Sequence, residues 1–106
     1  MNETIREVLA ELKSRLSALY GERLKGVYLF GSYARNEADE ESDVDVLIVL
    51  DEIRSYSGEI ARTSELISDI SLNHGRSISC VYTSEDQWQH EQTMFFINVR
   101  EEAIPA

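Results

Sequence analysis

The sequence predicts an α/β fold, a small mixed β-sheet flanked by helices, on three observations. Apolar residues recur at helical spacing from Thr4 to Tyr20. Two unbroken apolar runs, Val27 to Phe30 and Val46 to Leu50, lie on either side of a charged loop. A second long helical stretch, from about Gly58 to Asn73, leads into an alternating segment, Ser77 to Tyr82. The expected order is helix, strand, short helix, strand, helix, strand, helix. At 106 residues the chain has the length of a single domain, 1–106, with room for one core and no second one.

In the first helix Ile5, Val8, Leu9, Leu12, Leu16 and Leu19 form the apolar stripe. Thr4 with Glu7 reads as a capping box, and Gly21 as a natural stop. Leu24 to Phe30 is the first strand. A short helical turn at Ser32 and an acidic loop then lead to the second, Val44 to Leu50, expected to run antiparallel to it. Because Val46 to Leu50 does not alternate with polar residues, this strand should be buried on both faces.

Asp51 to Ser57 is polar and reads as irregular. The following helix should bury Ile60, Ala61, Ser64, Ile67, Ile70 and Ser71, and Gly75 should end it. In the third strand Ile78, Cys80 and Tyr82 share one face, with Ser77, Ser79 and Val81 on the other. Ser84 has the chemistry of an N-cap, with Glu85 and Asp86 in a first turn that favours carboxylates. The remainder, through Trp88 and Met94-Phe95-Phe96-Ile97 to Glu102, reads as one or two short helices.

Composition excludes some function classes. Acidic residues outnumber basic ones 20 to 10, for a net charge of −10. A free-standing nucleic-acid binder needs a basic face, so direct binding of DNA or RNA is not expected, whereas a basic protein partner is compatible. Cys80 is the single cysteine, so no internal disulfide forms, and no charged-then-apolar leader or long apolar span is present. A cytoplasmic protein with no membrane association is expected. Oligomeric state is left open, self-assembly included.

The residues that carry chemistry lie between Gly31 and Leu50. Asp43 and Asp45 are spaced i, i+2 at the head of a strand, which turns both carboxylates to one face. Mg²⁺ takes oxygen ligands and commonly uses one or two carboxylates together with substrate phosphates. At the other end, Gly31 directly follows a strand and lets a phosphate approach the main chain closely. Ser32 is expected to cap the short helix and face an anion, and Arg35 is near enough to add positive charge.

The spacing Gly31-Ser32, ten residues, Asp43-x-Asp45, between two apolar strands, closely resembles the signature of the DNA polymerase beta-like nucleotidyltransferase superfamily. Within it, the short chain and the form GSYAR…SDVDVLIVL resemble the minimal nucleotidyltransferases of the MntA type, antitoxins that act beside HEPN-domain toxins. The resemblance implies a palm-type nucleotidyltransferase fold, with Gly31 and Ser32 holding the triphosphate of ATP and Asp43 and Asp45 as catalytic ligands of Mg²⁺. It also implies AMP transfer to a tyrosine of an all-helical HEPN-type toxin encoded nearby.

Two positions depart from that pattern. Relatives often carry a third carboxylate on the strand after the long helix, and the best registration puts Ser77 there. Three explanations stay open: a registration off by a residue or two, an acid from elsewhere such as Asp69, or nucleotide binding with weak or no catalysis. Asn36 stands where relatives usually have Gly, a milder change because Asn tolerates left-handed backbone angles. His74, His90 and Cys80 have structural readings, and so does Trp88, although an aromatic can stack on a base. Part of the Met94–Ile97 run could stay exposed as a partner surface. No base-reading pocket is legible in the chain, so ATP follows only from the resemblance. A rival reading is a non-catalytic protein that occludes a basic toxin.

Overall fold

The computed structural model describes residues 2–106. Helix α1, Glu3–Tyr20, is capped by Asn2, whose Oδ1 accepts from the Thr4 N–H at 2.7 Å. Thr4 therefore lies inside the helix, and a single Asn2 side-chain cap stands in place of the expected Thr4–Glu7 capping box. The buried stripe is Ile5, Val8, Leu9, Leu12, Leu16 and Tyr20, while Leu19, expected inside, is exposed. Gly21 ends the helix at a positive φ of 57°.

Strand β1, Leu24–Phe30, pairs antiparallel with β2, Val44–Leu50, as expected. Strand β3, Ile78–Ser84, lies parallel to β2 on its other side. A two-residue strand, Ile104–Pro105 (β4), adds antiparallel to the free edge of β1 and completes the order β3-β2-β1-β4. The chain's mixed sheet thus has β2 at an interior position, and six of its seven residues are buried.

One face of the sheet carries Val44, Val46, Ile48 and Leu50 into a core with α1 and helix α3, Tyr56–His74. The opposite face carries Leu47 and Val49, with Phe30, against Val99 of a C-terminal helix. Helix α3 starts two residues before the expected Gly58, because the Ser55 hydroxyl caps it at the Gly58 N–H, 3.1 Å away. Its buried positions are Glu59, Thr63, Leu66 and Ile70, so the expected stripe is rotated: Ile60 is 54% exposed, and Ala61 and Ser64 face solvent.

The polar Glu59 hid that register. Its carboxylate is buried because Tyr20 Oη and Arg23 Nη2 both donate to it at 2.9 Å. Gly75, in the left-handed conformation, ends α3. Ser84 caps α4, Glu85–His90, in a full capping box with Gln87. Thr93 caps α5, Met94–Glu102. Among the described residues no helix is long and apolar enough to cross a membrane.

Candidate active site

Where β1 ends, the chain turns at once into α2, the four-residue turn Gly31–Ala34. Phe30 stands at its N-cap position and no side chain caps it, so the expected capping role of Ser32 is not observed. Ser32 is the second residue of the turn, and its hydroxyl is not spent on the helix end. The first amides of a helix also lack intrahelical acceptors, which leaves donors available on this side of the cleft.

Gly31 is required here on two counts. Its φ is +75°, a region that side chains resist, and a Cβ on it would lie 2.1 Å from Oδ2 of Asp45. The Asp45 carboxylate therefore packs directly on the main chain of the turn. This closeness follows from the β1–β2 register, which pairs Phe30 with Asp45. Asn36, closing the same loop, sits at φ 60°, as its tolerance for left-handed angles allows.

Asp43 is exposed, just before β2, and Asp45 is half-buried on the sheet face that also carries Leu47 and Val49. Burial, more than the neighbouring Asp43 charge, raises the Asp45 pKa, with Glu102 adding to the shift and Arg35 opposing it. Among the described residues no third His, Cys, Asp or Glu joins the pair to make a metal-holding cluster. Asp45 on the cleft wall, with Asp43 two residues before it and near enough for its charge to act on Asp45, makes a carboxylate pair of the kind Mg²⁺ takes.

The acidic loop between the two ends is folded on itself. Asp39 Oδ1 accepts from the Glu41 N–H at 2.9 Å and from the Ser42 hydroxyl at 3.2 Å. The Tyr33 hydroxyl donates to the Asp39 carbonyl at 3.1 Å. These bonds hold the connection between the Gly31 turn and Asp43.

The parallel β2–β3 register sets Ser79 opposite Asp45, and the Ser77 carbonyl accepts from the Val44 N–H at 2.8 Å. Ser77, the expected third-ligand position, therefore lies two residues before Ser79, just ahead of β3 and toward Asp43, and neither serine is an acid. Asp69 is elsewhere, 3.5 Å from Arg15 in a link between α3 and α1.

The acid that does approach the site went unnoticed in the sequence. Glu102, at the end of α5, binds Arg35 Nη1 at 3.0 Å, while Glu37 holds Arg35 Nε at 3.2 Å. Arg35 and Glu102 border a cleft of about 400 Å³. Gly31, Ser32, Arg35 and Asp45 line one side, and Phe95, Asn98, Val99 and Glu102 of α5 line the other. No local signal marks Glu102 or Asn98, since only the packing of α5 onto the sheet brings them here.

The remaining candidates have structural surroundings. Trp88 packs on Tyr28, ring centroids 4.9 Å apart. His74 Nε2 lies 3.1 Å from Glu11. Cys80 packs against the core, and burial pushes its thiol up to about 12.

The sequence profile of the nucleotidyltransferase domain family matches residues 5–102. The chain belongs to this family. It is a minimal nucleotidyltransferase, and hence an enzyme of that class. A protein of Methanocaldococcus jannaschii, provisionally named a protein adenylyltransferase, is 37% identical over 96% of this chain and 95% of its own length. The protein adenylyltransferase MntA of Thermococcus cleftensis is 47% identical over 50% of this chain and 52% of its own.

Among solved structures, one provisionally assigned as a minimal nucleotidyltransferase superposes with a TM-score of 0.65 at 30% identity, covering 98% of this chain and 94% of that one. A toxin–antitoxin solved with AMP-PNP shares the fold, with a TM-score of 0.61 at 18% identity over 99% of this chain and 72% of the other. This minimal nucleotidyltransferase therefore has the mixed four-stranded sheet and flanking helices of its solved relatives.

Proposed function

We propose that this nucleotidyltransferase is an antitoxin that transfers AMP from ATP to a tyrosine hydroxyl of an all-helical, HEPN-type toxin. The observation that supports this best is the direct packing of the Asp45 carboxylate on the Gly31 turn, where a Cβ would come within 2.1 Å of Oδ2. The reading takes the turn that carries Ser32 as the phosphate side of the cleft and Asp45, on its wall, as one of the two metal ligands. The names of the relatives, protein adenylyltransferases and a toxin–antitoxin with AMP-PNP, point the same way.

In this reading the Ser32 hydroxyl and the first amides of α2 receive the β- and γ-phosphates. Arg35 exchanges Glu102 or Glu37 for a phosphate oxygen. Asp43 and Asp45 hold Mg²⁺, which when bound neutralises charge developing on the phosphates. The tyrosine oxygen bonds to the α-phosphorus as the bond to the bridging oxygen of the β-phosphate breaks. Pyrophosphate leaves, and the phenolic proton is released. The chain's own residues supply positioning and electrostatics, which is most of what phosphoryl transfer needs from a protein.

A second reading, a binding protein that occludes its partner without catalysis, is favoured by one observation: serines stand at both positions beside the Asp pair, Ser79 in β3 and Ser77 just before it. One experiment separates the two. The protein is incubated with the all-helical product of the neighbouring gene, ATP and Mg²⁺, and both chains are weighed intact. A gain of whole AMP units on the partner, lost in the double variant Asp43→Asn/Asp45→Asn, supports transfer. A stable complex with no mass gain overturns it in favour of occlusion.

A further inference from the structure

The cleft has a charged end and an apolar end, both furnished by one face of α5. Phe95, Asn98, Val99 and Glu102 fall at i, i+3, i+4 and i+7, the spacing that puts residues on a single helical face. Seven residues of helix span roughly 10 Å, so the Arg35–Glu102 pair and the Phe95 ring stand at separate positions along that wall. A ligand fitted to it carries anionic groups at one end and a flat apolar body at the other.

Phe95 has the properties of a stacking platform rather than a core residue. Its ring is held by edge contacts with Phe30 at 5.8 Å and Phe96 at 5.3 Å, yet it remains 42% exposed. A ring fixed in place but open to solvent gives a planar ligand contact area at little entropic cost. Three residues on, the exposed Asn98 supplies one amide donor and one acceptor. Adenine presents the complementary pair, an amino donor beside a ring-nitrogen acceptor, whereas the corresponding edge of guanine has two acceptors.

Resting on the reading of the Gly31–Asp45 end as the triphosphate site, we propose that Phe95 and Asn98 form the nucleobase subsite and select adenine over guanine. Phe95 stacks on the base, and Asn98 bonds to its edge.

The test is calorimetric titration of the full chain, in Mg²⁺, with ATP, GTP and inorganic tripolyphosphate. The wild-type protein should bind ATP more tightly than GTP. Phe95→Ala should weaken ATP and GTP by roughly 10-fold, the scale of one lost base–aromatic stack, and leave tripolyphosphate unchanged. Phe95→Leu, which keeps bulk without a ring, should lose the same amount, and Phe95→Tyr should restore it. Asn98→Asp replaces a donor–acceptor pair by two acceptors, which no longer match the amino donor and ring-nitrogen acceptor of adenine and gain no donor on the same edge of guanine, so the preference for ATP over GTP should be lost.

The proposal is overturned if Phe95→Ala and Phe95→Leu keep wild-type ATP affinity, if tripolyphosphate binding falls in parallel, or if Asn98→Asp leaves the ATP-to-GTP ratio unmoved. In the first and third cases tripolyphosphate binding by the wild-type protein would leave the triphosphate reading standing. Binding of neither ATP nor tripolyphosphate to the wild-type protein would overturn both.

Discussion

Gly31 is the residue on which the site geometry depends most directly. Alanine there would meet two obstacles, a backbone at φ +75° and an Asp45 oxygen where the new methyl must go. Forcing a non-glycine residue into such a conformation costs about 1–3 kcal/mol. The contact adds a further effect, because the Asp45 carboxylate must move off the Gly31 turn. Gly31→Ala should therefore lower the melting temperature and also reduce ATP affinity in Mg²⁺ at temperatures where the variant is still folded, measured by thermal denaturation and titration calorimetry. A variant that loses stability alone would show that the Asp45 position is not what the glycine protects. The sequence made the need for a glycine legible, since it directly follows a strand, but not the carboxylate behind it.

At the scale of elements, α1 and α3 are locked by a buried carboxylate. Glu59 of α3 receives Tyr20 Oη from the end of α1 and Arg23 Nη2 from the turn that follows, each at 2.9 Å. Burial works to raise the Glu59 pKa, but the hydrogen bonds from Arg23 and Tyr20 outweigh it and hold the group below the usual range. A lowered folded-state pKa adds stability that is present above the unfolded value, about 4.3, and lost as pH falls through the folded value.

Glu59→Gln keeps an acceptor for Tyr20 but gives up the charge facing Arg23. It should cost about 2 kcal/mol at pH 7, a melting temperature lower by roughly 10 °C. The gap between variant and wild type should close as pH is taken below 4. A gap that stays constant from pH 7 to pH 3 would refute the assigned role of the charge. Helical periodicity alone could not find this face, because the pattern ranks Ile60 as apolar and Glu59 as polar, and only the partners Tyr20 of α1 and Arg23 of the turn after it reverse that order.

At the scale of the whole molecule, strand order decides what stands beside the Asp pair. Because β3 joins β2 in parallel, Ser79 is the residue opposite Asp45. Ser79→Asp should add a third carboxylate next to the existing two and tighten Mg²⁺ binding in the presence of nucleotide, as titration calorimetry would report, with a gain in transfer to the partner. Ser77→Asp should do less. A larger gain from Ser77 would assign the third-ligand position to the Asp43 end of the strand.

The chain by itself determined the bounds of β1 and β2, their antiparallel pairing, and the placing of Gly31-Ser32 and Asp43-x-Asp45, the two ends of the candidate site, at the end of one strand and the head of the next. Each of these is written in short-range chemistry: unbroken apolar runs, a glycine at a strand end, acids spaced i, i+2. Tertiary structure alone decided the burial of Glu59, the strand β4, the Ser79 register and the arrival of Phe95, Asn98 and Glu102 at the cleft. These depend on surfaces far apart in the chain closing on one another. No local periodicity encodes which side of α5 will face Asp45, because that choice is made only when its apolar residues pack on the sheet.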